Sequence, residues 1–236
     1  MSLLITMVVL VVAIAAAPVC THYLGRDAGY PLAAIYLVAT ATFLPAASAV
    51  MADEAYTYSV SWVETLNVNF ALKADGIGVV FTFIALLIGA VVFVYSARYL
   101  EDGRNLSFYL TMCAFTFSMV GLVLADDMVL LFIFWELTSL ASFLLIARSG
   151  YGGELASLRT LLITFVGGLF FLAAVVSIIA KTGTTSVTEV LADPVWTENA
   201  AFTTTMAILV LLAAFTKSAQ FPFHVWLPDA MAAATP

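Results

Sequence analysis

The sequence predicts an all-α polytopic membrane protein with about seven spanning helices. Three observations predict it. Of the 236 residues, 64% are hydrophobic and only 10% charged, well below the roughly one-quarter charged residues of soluble domains. The mean hydropathy is +1.10. The apolar residues also gather into runs close to the ~20 residues a bilayer requires. Finally, the connections between the runs carry their basic residues unevenly, as the loops of membrane proteins do.

The first run, 3–19, has no basic residue before it, which a secretory leader would carry; its first basic group, Arg26, follows it. It therefore reads as a first span with its N-terminus outside. Further runs cover 30–51, 76–99, 106–125, 128–146 and 158–180, and a seventh opens near 200. Arg26, Arg98, Arg104, Arg148 and Arg159 fall in the odd-numbered connections, whereas the even ones hold Lys73 and Lys181. Cytoplasmic loops are enriched in Lys and Arg, so the odd connections are expected on the cytoplasmic side of a cell membrane.

Between the second and third runs the pattern changes to period two. Tyr56, Tyr58, Val60 and Trp62 alternate with Thr57, Ser59 and Ser61. After Glu64 and Thr65, Leu66, Val68, Phe70 and Leu72 alternate with Asn67, Asn69 and Ala71. This predicts a β-hairpin over about residues 55–73 on the outer surface, with Asp75 and Gly76 opening the third helix. The chain thus divides into a three-span region with the hairpin, 1–105, and a second region, 106–236.

Nine acids fall in the expected outer segments: Asp53, Glu54, Glu64, Asp75, Asp126, Asp127, Glu189, Asp193 and Glu198. They read as a solvated surface, with a cation-concentrating entrance as the alternative. Asp127 is placed to cap the fifth span, where a carboxylate accepts free N–H groups at the positive end of the helix dipole. In the sixth span, Thr160, Thr164 and Gly168 recur every four residues, with Gly167 beside them. Such a stripe of small residues lets another helix approach closely.

Several function classes drop out. A net charge of −7 argues against nucleic acid as a partner. There is no Gly-rich phosphate loop, no nucleophile–base–acid arrangement and no metal-ligand cluster, so neither a cofactor nor covalent enzyme chemistry is expected. Cys20 and Cys113 read as small core residues.

Two charges stand out because they lie within or at the end of apolar runs: Glu136 in the fifth and Lys217 in the seventh. A charge near a bilayer centre costs about 3 kcal/mol on insertion scales, so such groups are paired, turned inward and placed on ion paths. Glu136 lies about eight residues into its span, roughly 12 Å deep at 1.5 Å per residue. Ser139, one turn on, can hydrogen-bond the carboxylate or hold a water. The alternatives are a protonated Glu136 that merely packs and a Lys217 that snorkels from a helix end.

The seventh run is strictly apolar only over 206–215. Lys217, Ser218, Gln220, Pro222, His224, Pro228 and Asp229 then interleave with aromatic and aliphatic residues. Two prolines prevent a regular helix there, and irregular backbone at membrane depth is tolerated inside protein or along a watered cavity. A short, Pro-interrupted span bearing a charge points to a transporter's ion site. His224 has the chemistry of a relay, although a lone His beside aromatics also serves in packing.

Two strings carry a family resemblance: L-F-I-F-W-E-L-T-S-L-A-S-F-L-L-I at 131–146 and F-T-K-S-A-Q-F-P-F-H-V-W-L-P-D-A-M-A-A-A-T-P at 215–236. They resemble the antiporter-like subunits shared by respiratory complex I and the Mrp multisubunit Na⁺/H⁺ antiporters, most of all the large A subunit of Mrp. The resemblance implies that Glu136 and Lys217 form a proton-handling pair and that His224 is the relay histidine; Ser139 and Asp229 are the candidate supporting residues beside them. It implies the first part of an inverted-repeat transporter fold, with 106–236 an incomplete first five-helix repeat and a second repeat expected beyond Pro236. Complex I counterparts tend to carry an Asp where Gly168 stands here. The partners implied are other membrane subunits, protons, Na⁺ or K⁺, and lipid.

The leading expectation is therefore a proton-translocating antiporter subunit rather than an enzyme. A complex I subunit is the alternative within the class, and it would be part of an NADH:quinone oxidoreductase. A non-conducting scaffold subunit is the alternative outside it. A passive cation channel would need a ring of pore carboxylates, which one intramembrane Glu does not make.

Overall fold

The computed structural model describes residues 1–100, 105–148 and 153–231. Arg104 and the end of the second motif, 232–236, lie outside the described residues. Among the described residues, six segments are long and apolar enough to cross a membrane: Ser2–Met51, Gly76–Tyr99, Leu106–Leu124, Met128–Ala147, Gly153–Thr182 and Ala200–Lys217. The first of these contains two helices, α1 (Ser2–Leu24) and α2 (Gly29–Met51), joined by a 3-10 turn.

Two strands follow, β1 (Tyr56–Val63) and β2 (Val68–Ala74), which pair as a two-stranded sheet. The alternation in the sequence is interrupted at one point. Glu64–Leu66 form a 3-10 turn, and Asn67 takes a left-handed conformation at φ 55°. Asparagine tolerates that region better than most residues, so the second strand starts at Val68 and Leu66 is left 69% exposed.

One compact unit comprises Met1–Tyr58 and Leu72–Leu124. It holds α1, α2, α3 (Gly76–Tyr99) and α4 (Leu106–Leu124). α1 packs on α2 and α4, and α3 packs on the same two, so the four helices close a ring. Tyr36 and Phe93 meet edge to face at its centre, with ring centroids 4.8 Å apart. Gly89 makes room for Tyr36, since a β-carbon there would come within 2.7 Å of the ring. As expected, Asp75 opens α3, its Oδ1 accepting from the Gly78 N–H at 2.7 Å. Both cysteines are free, and Cys113 is buried.

The second unit comprises Ser59–Ala71 and Ala125–Ala234. It holds α5 (Met128–Ala147), α6 (Gly153–Thr182), the short α7 (Val187–Ala192) and α8 (Val195–Glu198), α9 (Ala200–Lys217) and α10 (Trp226–Ala230). α6 lies at its centre, packed on α5, α9 and α10. It starts at Gly153, five residues before the apolar run. A search for apolar length misses a polar first turn such as Gly153–Glu154, although an acid there suits a helix N-terminus. Met128, Phe171, Val175, Ile178 and Met206 form the core, with the Trp135 ring 4.9 Å from that of Phe171.

Asp127 caps α5 as the sequence predicts, accepting from Val129 N at 2.9 Å and Leu130 N at 3.1 Å through Oδ1. It is not solvated, however. It is 1% exposed, and its Oδ2 accepts from Asn69 N at 3.1 Å and Thr185 Oγ1 at 2.6 Å. A single carboxylate thus ties β2, the start of α5 and the chain after α6 together. Asp126 adds to the junction, its Oδ1 accepting from both N and Oγ1 of Thr188. Reading these acids as a solvated surface is incorrect for Asp127, because hydrogen bonding to four donors offsets the loss of water.

Candidate functional site

The site is built on α5 because that helix carries both the acid and the group that receives the base. Asp127 fixes its N-terminus, and α5 continues unbroken to Ala147, so Glu136 and Ser139 are held mid-helix. Lys217 is the last residue of α9. From there its ammonium reaches α5, donating to Ser139 Oγ at 2.6 Å and to the Trp135 carbonyl at 3.3 Å. It also stands 5.5 Å from the centroid of the Trp135 ring, within cation–π range.

The structure places Ser139 against Lys217 rather than against Glu136. The Glu136 carboxylate turns toward α6, where its Oε1 is buried without a hydrogen-bond partner. Glu136 and Lys217 form no direct ion pair among the described residues; the ammonium rests on Ser139, one turn from Glu136 along α5. The acid and the base are separate, with a serine hydroxyl held by the base.

The small-residue face of α6 explains this arrangement. Thr160, Thr164, Gly167 and Gly168 are all buried. A β-carbon on Gly168 would collide with Glu136 Oε1, and one on Gly167 would collide with Thr216 Oγ1. Two adjacent glycines therefore admit, side by side, the glutamate and the residue preceding the lysine. The stripe packs helices, as its spacing predicts, and one end of it also receives a carboxylate, which the spacing alone does not announce. The signal was the second glycine, since two adjacent small residues point to two different neighbours around a helix.

Beyond Lys217 the helix breaks as the prolines require. Ala219 takes a left-handed conformation at φ 51°, and Gln220 N bonds back to the Phe215 carbonyl at 2.9 Å. His224 lies in a 3-10 turn, Phe223–Val225, exposed, with its ring stacked on Phe221 at 5.8 Å between centroids. No hydrogen bond joins it to Glu136 or Lys217 among the described residues. Asp229 pairs with Arg159 of α6 at 2.7 Å, so it ties the broken segment to α6 rather than contacting Lys217.

An apolar pocket of about 540 Å³ runs between α5 and α6, and Glu136 and Ser139 are the polar residues lining it. No group of His, Cys, Asp and Glu suited to a metal occurs among the described residues. The arrangement can hold a proton on either of two groups of opposite charge type, and it offers a hydroxyl beside one of them.

Two family models match the chain. One, described as NADH:quinone oxidoreductase/Mrp antiporter, TM, covers residues 125–236. The other, NADH-Ubiquinone oxidoreductase (complex I), chain 5 N-terminus, covers residues 60–110. A putative antiporter subunit mnhA2 of Staphylococcus aureus (strain MRSA252) is 41% identical over 217 residues, which is 90% of this chain and 27% of that protein. The counterpart in strain USA300 is 40% identical over the same coverage. A solved Mrp complex from Dietzia sp. DQ12-45-1b contains a chain with a TM-score of 0.91 and 45% identity, covering 99% of this chain and 25% of that one. The membrane-bound sulfane sulfur reductase, an archaeal respiratory membrane complex, shares the fold at a TM-score of 0.81 and 24% identity, covering 98% of this chain and 36% of that one. The chain thus spans about a quarter of the length of the curated relatives it matches. The all-helical fold, the match of the antiporter model to the charged helices and the likeness to a chain of an Mrp complex all make this chain similar to the antiporter-like membrane subunits of complex I and Mrp.

Proposed function

We propose that this chain is the N-terminal, proton-translocating part of a multisubunit Na⁺(K⁺)/H⁺ antiporter, acting in a cell membrane with other membrane subunits. The observation that carries the reading is the Lys217 ammonium on Ser139, one turn from Glu136 on the same helix. A lysine held by a neutral hydroxyl, with a carboxylate in electrostatic but not bonding reach, can exchange a proton in response to that carboxylate's charge. Glu136 tunes Lys217, Lys217 carries the proton, and His224 passes it onward. The likeness to an Mrp chain supports an Mrp-type antiporter over a complex I subunit. The N-terminus lies outside, which puts the hairpin on the outer surface.

The test is exchange in vesicles carrying the assembled complex. Glu136→Gln and Lys217→Ala should each impair proton-coupled transport, and the double variant should be no worse than the poorer single, because groups acting as a unit are non-additive. Multiplicative losses would mean that the two act separately, and intact transport in both singles would leave the chain a scaffold. His224→Gln keeps volume and hydrogen bonding but cannot relay a proton near neutral pH, so it should slow transport severely without loss of assembly. Wild-type exchange in that variant would remove His224 from the path.

A further inference from the structure

The end of α9 has an unusual cap. After the last regular helical bond, from Ser218 N to the Ala214 carbonyl at 2.9 Å, Gln220 N returns to the Phe215 carbonyl at 2.9 Å, the six-to-one bond of a Schellman turn. Two parts of that motif differ. The left-handed position, normally glycine, is Ala219 at φ 51°, a conformation in which a β-carbon is disfavoured. In addition, no backbone N–H among the described residues reaches the Thr216 carbonyl. That carbonyl instead accepts from the Trp226 indole, Nε1 to O 2.9 Å, across ten residues of broken segment.

Thr216 is completely buried and immediately precedes Lys217. Its hydroxyl bonds to the Ala213 carbonyl at 2.7 Å, and its side chain fills the space left by Gly167. The residue that aims Lys217 is therefore held on one side by α6 and on the other by the indole. The segment bearing the indole is itself tied to α6 through Asp229 and Arg159.

We propose that Trp226 is a positioning residue for Lys217: its indole N–H supplies the missing cap on Thr216, so the broken segment sets where the ammonium can reach. This deepens, and rests on, the proposed proton-handling role of Lys217. It also makes the segment a lever. Any displacement of residues 221–230 that withdraws the indole frees a strained helix end and lets Lys217 leave Ser139.

The test uses Trp226→Phe, which keeps an aromatic ring but removes the donor, and Ala219→Gly, which relieves the left-handed position and lets the end hold without the indole. In the assembled complex, hydrogen exchange at the Ser218 and Gln220 amides should speed up about fivefold in Trp226→Phe, the scale of one net hydrogen bond, and return toward wild type when Ala219→Gly is added. Transport per assembled complex should fall in maximal rate by a similar factor, with the KM for the cation unchanged, and the second substitution should restore it. Unchanged amide exchange overturns the inference whatever transport does. Faster exchange with full transport overturns the link to Lys217. If Lys217→Ala itself transports normally, the proton-handling reading fails instead, while the exchange data still decide the cap.

Discussion

Gly168 leaves open the space that the Glu136 carboxylate occupies, so that even a single β-carbon there would overlap Oε1. The carboxylate is not at a packed distance from α6 by chance; it sits in a notch that only glycine permits. Gly168→Ala should therefore displace Glu136 rather than merely loosen the helix pair. Overpacking of this kind costs about 1–3 kcal/mol, and transport should fall with it. Shortening the acid by one methylene should recover part of the loss, so Gly168→Ala with Glu136→Asp is expected to outperform Gly168→Ala alone. Vesicle exchange rates and detergent melting of the assembled complex would check this. Equal transport by the two variants would show that the notch does not govern Glu136.

Asp127 should matter for stability more than any other acid outside the spans. Its carboxylate satisfies four donors: Asn69 N, Val129 N, Leu130 N and Thr185 Oγ1. Removing it leaves buried donors without partners, so Asp127→Ala is expected to destabilise by about 2–4 kcal/mol. Asp127→Asn retains an oxygen for the α5 cap and should lose about half as much. Thermal unfolding in detergent would measure both. Matching melting curves for Asp127→Ala and wild type would mean that the junction contributes nothing.

Orientation can be read with cysteine labelling. In a background with Cys20 and Cys113 replaced by Ser, a cysteine at Asp27 should react with an impermeant maleimide only from the cytoplasmic side. One at Glu189 should react only from outside. The expectation rests on the clustering of arginines in odd-numbered connections. Reversed accessibility would invert the topology and move the hairpin to the inner surface.

Much of the architecture is legible in the sequence because the bilayer constrains it so strongly. The apolar runs mark the long helices, the period-two stretch marks the hairpin, and Asp75 and Asp127 announce helix starts through chemistry local to a few residues. The site is legible only as identities. That Glu136 and Lys217 are special follows from charge within or at the end of apolar runs. That Ser139 serves Lys217 does not, because the choice between i+3 neighbours depends on where α9 arrives. The roles of Thr216, Trp226 and Gly168 are equally hidden. Each is an ordinary residue whose meaning comes from a neighbour far along the chain, such as the ten-residue return from Trp226 to Thr216. The short helices α7 and α8 also escaped notice, being too brief to show a period.

Lys217 closes its helix, whereas Glu136 stands in the middle of one. The two partners consequently differ in freedom. The backbone of the acid is anchored by complete turns on either side. The lysine has no helical turn beyond it and carries a four-carbon tether, so its reach depends on how the end of α9 is held. For the proposed proton-handling pair, this makes Glu136 the fixed post and Lys217 the arm.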